Sequence, residues 1–331
     1  MVSEKVDLII KDINIHQQKL NSNTTEAGCL IVKEANTWVD EAKNRPIPNM
    51  LFSELWYENE VCILFSDTNL GKSILAVQIA DSLSKGKAIY GFKLEGSARK
   101  VLYLDFELSD KQFENRYSDN FTNHYQFNDN FLRAELNTDS RLPNQYKNFE
   151  EYLCNTLPTS ISKNQVSILT VDNLTFLSAE NEKAKDTLVL MKTLKQISRT
   201  NSVSILVLSH TPKRDESKPI TKNDLAGSKM LMNFCDRCFT IGKSSQDTSL
   251  RYIKQIKQRN TEHIYDSDNI ILCSIDKETN FLRFLYEGFD SEKNHLQTGN
   301  KISSDQINDQ IKMLVAEGLT NDKIGSRLGY S

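Results

Sequence analysis

Ser66-Asp67-Thr68-Asn69-Leu70-Gly71-Lys72-Ser73 sits between the apolar run Val61-Cys62-Ile63-Leu64-Phe65 and an amphipathic stretch over residues 73–83. A strand before and a helix after make this segment a phosphate cradle, because backbone N–H groups and the helix N-terminus then converge on an anion. The residue types predict that Lys72 reaches the β- and γ-phosphates of a nucleotide and that the Ser73 hydroxyl ligates Mg²⁺. The nucleotide-contacting set expected here is Ser66, Asp67, Thr68, Asn69, Leu70, Gly71, Lys72, Ser73 and Ile74. Ser66 stands where this motif usually has its first glycine, and serine has less backbone freedom there.

Such a loop needs a carboxylate on the metal side. Asp172 ends the apolar run over residues 166–171, and the carboxyl end of a buried parallel strand is where ligands gather; a cap on the following turn is its other reading. Hydrolysis also needs a group that orients and deprotonates water. Val101-Leu102-Tyr103-Leu104-Asp105-Phe106-Glu107 offers two acids at a spacing of two, which predicts one shared side of a strand end. Glu107 is the expected base, with Asp105 in reserve; either acid can also be a plain loop residue. His210 closes the run over residues 203–209 and is either a γ-phosphate sensor or a satisfied structural histidine. Lys257 and Arg259 face one way on a strand, as a solvated edge or as a pair that clamps the phosphate of another subunit.

The elements that must hold these groups are short apolar strands at residues 61–65, 101–104, 166–171 and 203–208, alternating with helical stretches at 73–83 and 187–199. Strand alternating with helix predicts a parallel α/β sheet with right-handed crossovers. Beyond Cys235, residues 250–257, 269–275 and 281–286 read as antiparallel additions. The expected division is a helical N-terminal segment over 1–47, an ATPase-type domain over 48–289, a linker over 290–302 and a helical tail over 303–331. The 331 residues carry 41 basic and 44 acidic side chains, a formal charge of −3, so no global positive field draws the chain to nucleic acid or lipid. No run approaches the ~20 apolar residues of a membrane span. The acidic N-terminus is unlike a signal peptide, and six scattered cysteines fit reduced thiols, so a cytoplasmic location is expected.

Taken in order, the phosphate loop, the Glu107 strand, Asp172, the His210 strand and Lys257-Gln258-Arg259-Asn260 resemble RecA-like ATPases, in particular the branch of RepA and DnaB-type hexameric replicative helicases. Asp67-Thr68-Asn69-Leu70-Gly71-Lys72-Ser73 and Leu104-Asp105-Phe106-Glu107-Leu108-Ser109 are similar to RepA-like ATPases of bacterial mobile elements. The resemblance covers roughly residues 48–288. It implies a RecA-like P-loop core using ATP and Mg²⁺. Lys72 and Ser73 would bind nucleotide and metal, Asp172 would hold the metal shell, Glu107 would polarise water, and His210 would sense the γ-phosphate. Lys257 and Arg259 would be a piston lysine and an arginine finger supplied to the adjacent protomer, which requires a homo-hexamer or another ring or filament.

The resemblance also implies single-stranded DNA contacts, expected over residues 211–225 through Lys213, Arg214, Lys218 and Lys222. That segment is only mildly basic and has no aromatic residue for base stacking. Residues 318–331 resemble the first helix and turn of a resolvase-type helix-turn-helix. Cys235 and Cys238 have half a zinc-site spacing with no matching pair, so core packing is expected of them. The function this predicts is a replicative-type helicase or translocase of a plasmid or mobile element. The alternatives are a nucleotide-switched DNA adaptor or regulator, and a RecA-like signalling or defence ATPase.

Overall fold

A computed structural model describes residues 25–27, 30–137, 141–173, 183–226, 228–259, 262–297, 312 and 314–315. The chain divides into two compact units, Met1–Pro48 and Asn49–Ser331. In the first, β1 (Thr25–Ala27) and β2 (Leu30–Val32) pair antiparallel, and α1 (Ala35–Lys43) follows. Leu30 and Ile31, expected at helical positions, lie in β2 because the β-branched Ile31-Val32 pair suits an extended backbone. Lys33 caps this unit, lying 4.8 Å over the Trp38 ring and 2.5 Å from Glu41. The tail resemblance at 318–331 lies outside the described residues.

The second unit is built on a nine-stranded sheet. A small ribbon of β3 (Met50–Phe52) and β4 (Trp56–Tyr57) precedes β5 (Val61–Ser66), α2 (Lys72–Lys85) and β6 (Val101–Asp105). Next come α3 (Asp110–Arg116), a second ribbon of β7 (Ser118–Asp119) and β8 (Asn123–His124), β9 (Phe131–Ala134), α4 (Phe149–Asn164) and β10 (Ile168–Asp172). The chain continues through α5 (Lys183–Asn201), β11 (Ser204–His210), α6 (Ser228–Phe234), β12 (Arg237–Lys243), β13 (Leu250–Lys257), β14 (Ile270–Glu278) and β15 (Phe281–Asp290). The sheet order is β15-β14-β13-β12-β5-β11-β10-β6-β9. Strands β12 to β9 in that order are parallel, whereas β13, β14 and β15 add on antiparallel.

The apolar runs follow from this architecture. Alternate residues of β5 feed opposite cores: Cys62 and Leu64 pack with Leu75, Ile79 and Phe284, whereas Val61, Ile63 and Phe65 pack with Ile161 and Leu194. β11 does the same, with Leu206 and Leu208 on one side and Ile205 and Val207 on the other. A strand covered on both faces has no polar alternation. The parallel strands therefore end at one rim of the sheet, and β5, β6, β10 and β11 deliver their last residues there side by side. Among the described residues, no helix is long and apolar enough to cross a membrane.

Candidate functional site

The phosphate loop joins β5 to α2. Ser66 continues β5, pairs with His210 of β11 and has no positive φ, so the conformation at this position does not require glycine. The left-handed positions fall later, at Asn69 (φ 62°) and Gly71 (φ 93°). Asn tolerates that region and glycine favours it. At Gly71 space is also short, since a Cβ would lie 2.9 Å from the side chains of both Ile275 and Phe284. α2 starts directly after Gly71 with no side-chain cap and no acid in its first turn, so its first amides and dipole are left for an anion.

Lys72, Ser73, Glu107 and His210 line one cavity of about 400 Å³, together with Thr68, Asn69, Gly71, Ile74, Arg116 and Leu282. Lys72 is buried, and its Nζ donates to the carbonyls of Ser66 and Asp67, each at 3.0 Å. Burial lowers its pKa from the usual lysine value, while the carboxylates of Glu107, Asp172 and Asp67 pull the other way.

Asp172 ends β10 with its side chain wholly buried. Tyr103 donates its hydroxyl to Oδ2 at 2.7 Å, and Oδ1 has no partner among the described residues. Burial raises this carboxyl to about 6, against hydrogen bonds from Tyr103 and Ser73 that favour the charged form. An orphaned, buried carboxylate oxygen beside a serine hydroxyl is a hard-oxygen pair of the kind Mg²⁺ takes, so these residues fit the ion.

The two acids at the end of β6 diverge. Asp105 accepts from Arg133 Nε of β9 at 2.9 Å and from the amides of Glu107 and Leu108 at 3.2 and 3.0 Å. It is a buried brace for the turn, and the shared side expected from a spacing of two is lost because the strand ends at Asp105. Glu107 points towards β11 instead, where its Oε1 lies 3.4 Å from His210 Nε2 and accepts from Asn173 Nδ2. His210 holds the Glu107 carboxyl below the usual range, partly offset by burial and assisted by the charges of Lys72 and Arg116.

The chain matches the model of the AAA domain family, AAA_25, over residues 31–216, more than half its length. The chain belongs to that family. Among solved structures it is similar to the ATPase domain of a helicase, at 14% identity and a TM-score of 0.50, covering 69% of this chain and 86% of that one. It is also similar to a KaiC-like protein of the hyperthermophilic archaeon Pyrococcus horikoshii OT3, at 13% identity and a TM-score of 0.45, covering 70% and 91%. No curated protein matches it in sequence. Family and fold together make this AAA_25 member a RecA-like P-loop ATPase.

Two residues of the ATPase site carried no signal in the sequence. Arg116 ends α3 inside the cavity; no acceptor among the described residues reaches its guanidinium, and Nη1 is buried. Asn173, one residue beyond β10, is buried between Glu107 and His210. Both sit in polar stretches with no motif spacing, and only the packing of distant strands reveals them.

Lys257 and Arg259 line no part of this cavity. Lys257 Nζ donates to the carbonyls of Met232 and, at 2.8 Å, Cys235; Arg259 Nη2 donates to the carbonyl of Asn233 at 3.0 Å, and its Nε lies 3.6 Å from Asp236. Both therefore gather at the C-terminal end of α6, where cations complement the helix dipole. In the segment over 211–225, Arg214 pairs with Asp224 at 3.7 Å and Lys218 with Asp215 at 3.3 Å, while Lys213 and Lys222 are exposed. Cys235 and Cys238 are buried in the second core, where desolvation raises the Cys235 thiol to about 11.

Proposed function

We propose that this RecA-like ATPase is a Mg-ATP-driven motor acting on DNA as a ring or filament, a replicative-type helicase or translocase serving a plasmid or mobile element. In this reading Lys72 and the loop amides hold the β- and γ-phosphates, and Ser73 and Asp172 hold the metal. When bound, Mg²⁺ neutralises charge on the β- and γ-oxygens. Glu107 accepts a proton from the attacking water, and His210 contacts the γ-phosphate. Lys257 and Arg259 act on the nucleotide of the next protomer.

The observation that carries this reading is the separation of the site into two parts. Lys72, Ser73, Glu107 and His210 converge on one cavity, while Lys257 and Arg259 stand apart from it. An isolated protomer is then an incomplete catalyst, and turnover per protomer should rise with protein concentration. The similarity of residues 67–73 and 104–109 to RepA-like ATPases supports the link to mobile elements.

The internal pairing of Arg214 and Lys218 favours one alternative, a nucleotide-switched DNA adaptor with a weak grip on the strand. Turnover and strand displacement measured with and without single-stranded DNA separate the two. Stimulation with displacement supports the motor, and stimulation without displacement supports the adaptor. Indifference to DNA contradicts both and leaves a signalling or defence ATPase.

A further inference from the structure

The strands β11, β10 and β6 are neighbours in the sheet, with β10 in the middle. Each delivers one side chain to the same spot beyond its carboxyl end. His210 closes β11, Asn173 follows β10, and Glu107 follows β6. Register holds them level, since Val171 is paired with Val207 of β11 and Asp172 with Asp105 of β6. The Phe106 amide donates to the Asp172 carbonyl at 2.8 Å, so the turn bearing Glu107 is tied to the end of β10 by backbone as well.

The middle residue makes the closer contacts. Asn173 is 2% exposed, its Nδ2 donates to Glu107 Oε1, and the same nitrogen lies 2.9 Å from His210 Nε2. Glu107 and His210 are themselves 3.4 Å apart, at the outer limit of a hydrogen bond. The Glu107 side chain is 37% exposed and has rotatable bonds to spare, whereas the Asn173 side chain is fixed by burial.

We propose that Asn173 is the positioning residue of this site: its amide bridges from the central strand and fixes the Glu107 carboxylate beside His210 in the orientation that activates water. The amide has no role on the nucleotide itself. It donates to the ionised form of Glu107, and it fixes the distance between the base and the γ-phosphate contact on β11. This inference rests on Glu107 being the group that activates water.

The test uses the full chain with Mg²⁺, ATP for turnover and a fluorescent ATP analogue for affinity. Asn173→Asp is isosteric and removes the donor; Asn173→Ala removes the whole bridge. Both should lower kcat by about 10- to 100-fold, as loss of a supporting hydrogen bond or a small misplacement of a reacting group does. Analogue affinity and the Mg²⁺ requirement should stay at the wild-type level. In a Glu107→Gln background, Asn173→Ala should cost nothing further, because the carboxylate it positions is already gone. Three results would overturn the proposal: unchanged kcat in both variants, affinity falling in step with turnover, or losses that multiply in the double variant. If Glu107→Gln alone hydrolyses ATP at the wild-type rate, the assignment of the base fails first, and this inference with it.

Discussion

Lys254 on β13 and Glu292, just past β15, form a buried ion pair at 2.5 Å that closes on a single residue of the segment over 211–225. Lys254 Nζ donates to the Ile220 carbonyl and Glu292 Oε1 accepts from the Ile220 amide, both at 2.8 Å. Tyr252 and Ser267 fill the remaining acceptor positions of Glu292 at 3.2 and 2.9 Å. The segment that follows His210 is thereby pinned at its far end to the antiparallel part of the sheet.

Removing one partner of such a pair leaves an uncompensated charge in the core. Glu292→Ala is expected to destabilise the fold by about 3–5 kcal/mol, which is a fall on the order of 10 °C in Tm for a chain of this size. Replacing both partners by apolar residues, Glu292→Leu with Lys254→Met, should recover much of that loss. Thermal unfolding of the three proteins checks it; equal Tm for single and double variants would contradict the clamp.

Arg116 is the one cation of the nucleotide cavity with no acceptor around it among the described residues. A polyphosphate entering beside Lys72 would supply that acceptor. Charge-assisted contacts of this kind are worth about 1.5–3 kcal/mol, so Arg116→Ala should weaken nucleotide binding by about 10- to 100-fold. Its last-turn place on α3 is otherwise undemanding, and Tm should not change. Titration with a fluorescent ATP analogue reads the effect, and an unchanged Kd would mean the guanidinium meets no nucleotide.

Gly71 combines a left-handed φ with neighbours already at contact distance. Gly71→Ala must both strain the backbone, which costs of order 1 kcal/mol or more, and displace Ile275 or Phe284. Since these residues belong to the core beneath the loop, the variant should lose nucleotide affinity and stability together. Serine at position 66, by contrast, sits on an ordinary strand end, so Ser66→Gly should leave the affinity within a few-fold. Paired binding and unfolding curves distinguish the two glycine positions of the motif.

Much of the architecture was legible because burial on both faces imposes its own pattern. The runs ending at Ser66, Asp105, Asp172 and His210 are continuous apolar stretches, and β13 at Leu250–Lys257 was readable to the residue. β9 was not: Phe131–Ala134 is four residues long and carries Arg133, whose guanidinium is answered by Asp105 across the sheet. α4 was hidden by Pro158 inside it. For the site, local spacing exposed the phosphate loop, but a spacing of two wrongly put Asp105 beside Glu107, because it presumes a strand that continues. Asn173 and Arg116 owe their positions to sheet order and helix packing, which no local pattern encodes.

The central claim is that each active site is completed by the neighbouring protomer, and mixing two inactive variants tests it most directly. Lys72→Ala removes the phosphate contact in its own site. Arg259→Ala leaves nucleotide binding intact while lowering hydrolysis by ~10³-fold or more, the range of an arginine finger acting in trans. In a mixed assembly, a protomer with intact Lys72 next to one with intact Arg259 has a complete site, so steady-state ATP turnover of the mixture should rise well above that of either variant alone. If both variants are folded and co-assemble, yet the mixture stays as inactive as its components, Arg259 does not act across an interface and the account of a shared site is contradicted.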